Sequence, residues 1–320
     1  MSTPAGLSEL ALLHELEPVV GRNLERHLTM AKEWMPHDYV PWNQGRDFAY
    51  LGGQDWSPEQ TSLSPVARAS MVLNLLTEDN LPSYHRDIAM QFGRDGAWGE
   101  WVNRWTAEEG RHATALRDYL VVTRSVDPVD LERRRMAHVG AGYRPDSDLV
   151  LPNMAYVTFQ ELATRVSHRN TGRATGCPLA EQLLTRISTD ENLHMVFYRD
   201  LADAAFDLAP DQMMAAVLDQ IITFEMPGAG SVDFARSAAA IATAGIYDLR
   251  LHLDEVVLPV LRYWRVFERE GLSATGDRTR EELATLLVEL ERRASQFEER
   301  RDRLLARRDQ RQLQPAGSAS

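Results

Sequence analysis

Apolar side chains recur at intervals of three and four residues along most of the chain, which is the spacing of one face of an α-helix. Helices are predicted over 7–30, 66–92, 97–122, 153–170, 179–206 and 280–308. Pro82 either kinks the second of these or ends it near Asn80, because proline lacks the N–H that would bond to the Glu78 carbonyl. No stretch sustains the alternation of apolar and polar residues that predicts a half-buried strand. The predicted fold class is all-α.

Two of the predicted helices contain the same motif, a glutamate followed three residues later by a histidine. The first copy is Glu109 with His112, and the second is Glu191 with His194. Residues three apart share one face of a helix, so each pair can bind one metal ion. A single copy would be weak evidence, but a repeat at a matching offset is much less easily explained by chance.

A bare glutamate precedes each motif by about the length of one bundle helix. Glu78 lies 31 residues before Glu109, and Glu161 lies 30 residues before Glu191. Four helices would then supply Glu, Glu-x-x-His, Glu and Glu-x-x-His, which is the ligand set of two-metal carboxylate sites in ferritin-like bundles. We therefore predict a ferritin-like four-helix bundle with additional flanking helices. Its predicted metal ligands are Glu78, Glu109, His112, Glu161, Glu191 and His194.

An oxygen-rich ligand set with one imidazole per ion favours iron or manganese, since zinc usually takes more histidine or cysteine. In this arrangement Glu109 and Glu191 bridge two ions that could react with O2, and the bare glutamates each bind one ion. The alternative is a set of buried ion pairs between helices. It is disfavoured because the spacing repeats and because burying unpaired carboxylates is costly.

An acidic residue stands directly before each motif, Glu108 in the first and Asp190 in the second. A carboxylate is the usual partner of the second nitrogen of a metal-bound imidazole. By the symmetry of the two motifs, we expect Asp190 to orient His112 and Glu108 to orient His194.

The composition is that of an ordinary globular protein, with 320 residues, 44% apolar and 26% charged. A net charge of −12 argues against general nucleic-acid binding, and no apolar run is long enough for a membrane span. One cysteine, Cys177, and the lack of a secretory signal indicate the cytoplasm.

The arginine run 133–135 is interpreted as a solvated helix face in preference to a docking patch for an acidic carrier. One domain is expected over 1–309, followed by a disordered tail over 310–320.

The residues around the predicted ligands resemble those of the soluble acyl-(acyl-carrier-protein) desaturases, of which the plant stearoyl desaturase is the familiar example. The resemblance extends from about 34 to 276 and is greatest to the actinobacterial members. It rests on LTEDNLPSY at 76–84, WTAEEGRH at 105–112, FQELATRVSHRNT at 159–171, DENLH at 190–194 and GLSATG at 271–276.

This resemblance implies a homodimer of helical subunits in which each chain binds two Fe. It also implies an O2-dependent reaction that places a cis double bond in an acyl chain on acyl-carrier protein, with electrons from a ferredoxin. Thr164 matches a threonine near the oxygen site, although an ordinary helical threonine is an equal alternative. Trp34 and Asp190, together with His112, match residues proposed to pass electrons to the iron; for Trp34 a plain aromatic anchor is the alternative.

The chain departs from the plant motifs at two places beside the ligands. Gly110 replaces an asparagine, and Asn192-Leu193 replaces a lysine-arginine pair. Neither is a ligand position, so only the contacts to the electron donor are put in question. Other hypotheses stay open: a di-iron hydroxylase or oxidase acting on an acyl chain, a ferritin-like iron-binding protein without desaturase activity, or an inactive carrier-protein binder.

Overall fold

The computed structural model describes residues 6–144, 147–225 and 234–313. No strand occurs within these ranges, and the all-α prediction is confirmed. The helices are α1 Glu9–Met30, α2 Pro65–Asp79, α3 Leu81–Phe92, α4 Gly96–Val122, α5 Pro128–Ala141, α6 Val150–Thr175, α7 Pro178–Leu208, α8 Pro210–Thr223, α9 Phe234–Thr243, α10 Leu249–His252, α11 Leu258–Tyr263 and α12 Ala274–Leu313. A π-helical turn, Leu253–Val257, joins α10 to α11.

Four long helices, α2, α4, α6 and α7, form the central bundle, and each of them contributes predicted ligands. Helix α6 packs along α7, α2 packs against α4 and α6, and α4 contacts α7. Helix α1 covers α4 and α7, while α8 packs on α6 and α12. The predicted ferritin-like bundle with flanking helices is therefore confirmed. Its apolar core lies on both sides of the ligand layer, in two clusters of buried side chains.

The chain leaves the helix directly after the ligand Glu78. Helix α2 ends at Asp79, Asn80 has a ψ of 2°, and α3 begins at Leu81. Pro82 then falls in the first turn of α3, where a missing N–H is tolerated. Of the two alternatives left open by the sequence, the helix end is correct and the kink is wrong: α2 ends at Asp79, and a separate helix begins at Leu81.

Helix α5 holds this break in place. Arg135 donates to both carboxylate oxygens of Asp79, at 2.6 and 2.9 Å, and His138 Nε2 lies 2.8 Å from the Asn80 amide nitrogen. The solvated face predicted for 133–135 is therefore wrong for Arg135, whose side chain is 19% exposed. The Asp79 carboxylate draws it inward because that group is buried and needs a partner.

The last helix runs on the outside of the bundle and is anchored by ion pairs. Arg250 of α10 binds Glu291 and Glu298, and Arg301 lies 3.0 Å from Asp248. The helix continues to Leu313, four residues into the predicted tail of 310–320, and 314–320 lie outside the described residues. Within the described residues, none of the helices has the length and apolar character needed to cross a membrane.

Candidate metal centre

The six predicted ligands converge in the middle of the bundle, where all of them are buried. They form two groups, Glu78, Glu109, His112 and Glu191 on one side and Glu109, Glu161, Glu191 and His194 on the other. Within each group one ligand atom per residue lies within 4.8 Å of all the others. Glu109 and Glu191 belong to both groups, so their carboxylates are placed to bridge two ions.

Five buried atoms of the ligand side chains have no hydrogen-bond partner among the described residues. They are Glu109 Oε1, His112 Nδ1, Glu161 Oε2, Glu191 Oε1 and His194 Nδ1. His194 Nδ1 is 2.8 Å from Glu109 Oε1 and His112 Nδ1 is 3.1 Å from Glu191 Oε1, but neither contact has the angles of a hydrogen bond. Buried polar atoms normally find a partner, and two metal ions would satisfy all five. An oxygen-rich set with one imidazole nitrogen per ion fits iron or manganese.

The outer nitrogen of each ligand histidine faces the acidic residue of the opposite motif, as the symmetry of the motifs predicts. His112 Nε2 lies 3.4 Å from Asp190 Oδ2, and His194 Nε2 lies 2.9 Å from Glu108 Oε2. Each Nε2 therefore carries the ring proton and donates to a carboxylate. In the neutral ring, Nδ1 then directs its lone pair toward the centre, the orientation required of a metal ligand.

Both of these carboxylates accept a further hydrogen bond from an aromatic ring. Trp34 Nε1 donates to Asp190 Oδ2 at 2.7 Å, and the Trp34 ring also stacks on His112 with centroids 6.2 Å apart. On the other side, His27 Nε2 lies 2.9 Å from Glu108 Oε2. The structure thus brings Trp34 and Asp190 to the candidate site. His27 was not predicted, although it follows the buried α1 positions Val20 and Leu24 at helical spacing.

The two bare glutamates also have outer partners that were not assigned from the sequence. Glu78 Oε1 lies 2.9 Å from His168 Nε2, and Glu161 Oε1 accepts from Trp105 Nε1 at 3.0 Å. His168 follows Glu161 by seven residues, so the sequence already indicated that it lies on the same inner face of α6.

Thr164 faces the ligand residues, as its position three residues after Glu161 suggests. Its Oγ1 donates to Glu191 Oε2 at 2.8 Å and lies 3.0 Å from the Glu161 carbonyl oxygen. The hydroxyl therefore contacts a carboxylate that is placed to bridge the two ions.

The electrostatics of the centre follow from its buried charges. Burial opposes ionisation of Asp190, but the hydrogen bond and charge of His112 outweigh it and lower the pKa of Asp190 to about 2. The pKa of Glu108 is lowered in the same way by His194 and His27. Conversely, burial opposes the charged form of His112 and His194, but the surrounding carboxylates raise both imidazole pKa values well above the ordinary range.

The pKa values of the two bare glutamates shift in opposite directions. Burial raises the pKa of Glu161 well above its ordinary value, and the nearby imidazole of His194 only partly offsets it. Burial and the charge of Glu191 also act to raise the pKa of Glu78, but the nearby imidazoles of His112 and His168 reverse the direction, and the pKa is lowered. The difference follows from the number of imidazoles, because Glu78 has two partners of this kind and Glu161 has one.

A small pocket, with a cavity volume of about 30 Å3, lies beside the ligand layer between α3, α4 and α6. Tyr84, Ile88, Trp105, Tyr156 and Val157 form much of its wall, together with polar side chains from the same helices. The Trp105 indole lines the pocket with its ring and bonds Glu161 through its nitrogen, so a single side chain separates the pocket from the ligand layer.

A family model described as fatty acid desaturase matches residues 8–314 of the chain. The chain belongs to the fatty acid desaturase family. This family comprises oxidoreductases, so the protein is an enzyme of that class.

Individual relatives agree with this assignment. DesA1 of Mycobacterium tuberculosis, named as a candidate acyl-(acyl-carrier-protein) desaturase, is 56% identical over 95% of this chain and 92% of its own. Acyl-(acyl-carrier-protein) desaturase 7 of Oryza sativa, named as chloroplastic, is 32% identical over 89% of this chain and 76% of its own. The X-ray structure of DesA2 of M. tuberculosis, likewise a candidate desaturase by name, has a TM-score of 0.69 and 33% identity over 81% of this chain and 97% of its own.

Proposed function

We propose that this desaturase binds two Fe and introduces a cis double bond into a fatty acyl chain carried by acyl-carrier protein, in an O2-dependent reaction with electrons from a ferredoxin. The observation that best supports this is the pair of ligand groups that share Glu109 and Glu191 beside an apolar pocket. When bound, the reduced ions supply the O2 chemistry that cleavage of unactivated C–H bonds requires.

The side chains of the protein bind the metal ions, orient the ligands and line the pocket. The six carboxylate and imidazole groups hold the ions, and Asp190 and Glu108 fix the two imidazoles. Trp105 and its neighbours line the pocket in which the acyl chain would lie. Half of the electrons that reduce O2 to water come from the two C–H bonds that are lost. The other half come from the donor, for which Trp34 and Asp190 offer a contact path to His112.

Thr164 belongs to the same proposal as a residue beside the oxygen site, because its hydroxyl contacts Glu191 at 2.8 Å. We further propose that residues 1–309 act as one catalytic domain, that two chains form a homodimer, and that the enzyme works in the cytoplasm. The marked similarity to DesA1 supports an acyl chain on a carrier protein as the substrate.

The test is incubation of the reduced enzyme with O2, ferredoxin and a panel of acyl-carrier proteins of different chain length, followed by mass spectrometry of the acyl product. Loss of two hydrogen atoms supports the proposal, while gain of an oxygen atom would assign a hydroxylase. Metal analysis should give two iron ions per chain, and His112→Ala and Glu191→Ala should lose iron and activity together. Protein that binds only zinc, or whose iron is unaffected by these substitutions, would contradict the metal assignment.

A further inference from the structure

The structure assigns to His168 the role of a positioning residue, which orients Glu78 toward one of the two metal positions and makes that position different from the other. This inference rests on the proposed metal centre. It concerns a residue outside the six ligands, on the far side of the Glu78 carboxylate from the centre.

The two carboxylate oxygens of Glu78 have different partners. Oε1 lies 2.9 Å from His168 Nε2, whereas Oε2 points inward and lies 3.6 Å from His112 Nδ1. Both side chains are buried, so no water competes for Oε1. With one oxygen held by His168, rotation of the carboxylate is restricted and Oε2 is presented to the ion.

The His168 ring is itself held in one orientation. Its Nε2 faces a carboxylate oxygen and therefore carries the proton, so Nδ1 of the neutral ring is an acceptor. The amide nitrogen of Asn74 meets this acceptor at 3.2 Å, and the Asn74 oxygen accepts from Ser167 Oγ at 3.0 Å. Turning the ring over would exchange each nitrogen for a carbon and lose the contacts to both Glu78 and Asn74. His168 Nε2 also lies 3.9 Å from Glu191 Oε1, but it bonds Glu78 and Nδ1 bonds Asn74, so neither ring nitrogen is left free to bind a metal ion.

The equivalent glutamate of the other half has a different partner. Glu161 Oε1 accepts from the Trp105 indole at 3.0 Å, and its Oε2 lies 3.5 Å from His194 Nδ1. An indole nitrogen is a neutral donor fixed in a large ring, whereas the His168 imidazole is held by a separate amide. The two halves therefore match in their ligands and differ in what orients the bare glutamate.

The test is anaerobic titration of the metal-free full-length protein with Co2+, followed by visible absorption and by competition with a chelator. Wild-type protein should bind two ions. His168→Leu should weaken one of them by about 10–100-fold and leave the other near its wild-type affinity. His168→Gln, whose amide nitrogen can replace Nε2 as the donor, should recover most of the loss. Trp105→Phe should weaken the other ion, and Asn74→Leu should give a smaller loss at the same ion as His168→Leu.

His252→Leu is the matched control, because it also removes an imidazole, here half-buried, that contacts Tyr247 and Phe224 instead. Circular dichroism of each metal-free variant establishes that the bundle is folded. Unchanged affinity for both ions in His168→Leu, equal weakening of both, or failure of His168→Gln to recover binding would each overturn the inference. A wild-type protein that binds no pair of ions would instead overturn the proposed metal centre.

Discussion

Replacing Arg135 by methionine tests how the helix break beside Glu78 is stabilised. Asp79 is the last residue of α2, and its carboxylate is 4% exposed. Arg135 binds both of its oxygens with the geometry of a bidentate pair and also binds Glu132 at 2.8 Å. Methionine keeps much of the aliphatic length of the side chain but leaves the Asp79 carboxylate buried without its charged partner.

Breaking a fully buried pair costs about 3–5 kcal/mol, because the remaining charge is uncompensated. The Arg135 side chain is 19% exposed, so solvent screens part of the interaction and we expect a loss of about 2–3 kcal/mol in the free energy of unfolding. The same loss should appear in metal-free protein, since the pair does not involve the ligands.

Urea unfolding followed by circular dichroism measures this loss. Arg134→Met is the control, since it removes another arginine of the same helix. Among the described residues Arg134 pairs with the exposed Asp130 at 4.0 Å, and its loss should cost less than about 0.5 kcal/mol. The double variant Asp79→Asn with Arg135→Met should recover at least half of the loss, because no unpaired buried charge remains. Equal effects of Arg134→Met and Arg135→Met would refute this reasoning.

Two further predictions concern the centre itself. Burial opposes the raised pKa values of His112 and His194, but the carboxylates prevail, so both rings hold a second proton in the metal-free protein at neutral pH. Metal binding should therefore release protons and tighten as pH rises through the raised pKa values, as calorimetry in buffers of different ionisation enthalpy can measure; no proton release at neutral pH would contradict this. Thr164→Val should lose about 1 kcal/mol of stability with its bond to Glu191, while Thr164→Ser should retain it, and equal stabilities in urea unfolding would show that the bond contributes nothing.

The inner part of the site could be predicted because its geometry is encoded within single helices. Glu109 and His112 share a helix face whatever the rest of the fold does, and the same holds for Glu191 and His194. The crossed pairing of Asp190 with His112 also followed from the symmetry of two sequence motifs. All-α class and bundle architecture then followed from helical periodicity and the repeat of the ligand pattern.

The outer partners His27 and His168 could not be assigned because each reaches its carboxylate from another helix and neither belongs to a repeated motif. His27 reaches Glu108 from α1, and His168 reaches Glu78 from α6. A lone histidine on an apolar helix face has no local pattern that names its partner. Arg135 was misjudged for a related reason: its sequence neighbours are charged, and only the packing of α5 on α2 brings Asp79 within reach.

Asn192-Leu193 replaces the lysine-arginine pair of the plant motifs, but two other arginines place positive charge beside the proposed electron path. Arg186 stands one turn before Asp190 on α7 and pairs with it, and its guanidinium carbon lies 5.9 Å from the centroid of the Trp34 ring. Arg111 approaches the same ring at 5.0 Å and Asp190 at 3.4 Å. The two guanidinium groups offset the Asp190 carboxylate and place positive charge beside Trp34. On the other side Glu108 bonds His27 of α1 in place of a tryptophan, so of these two carboxylates it is Asp190 that connects a ligand histidine to an indole.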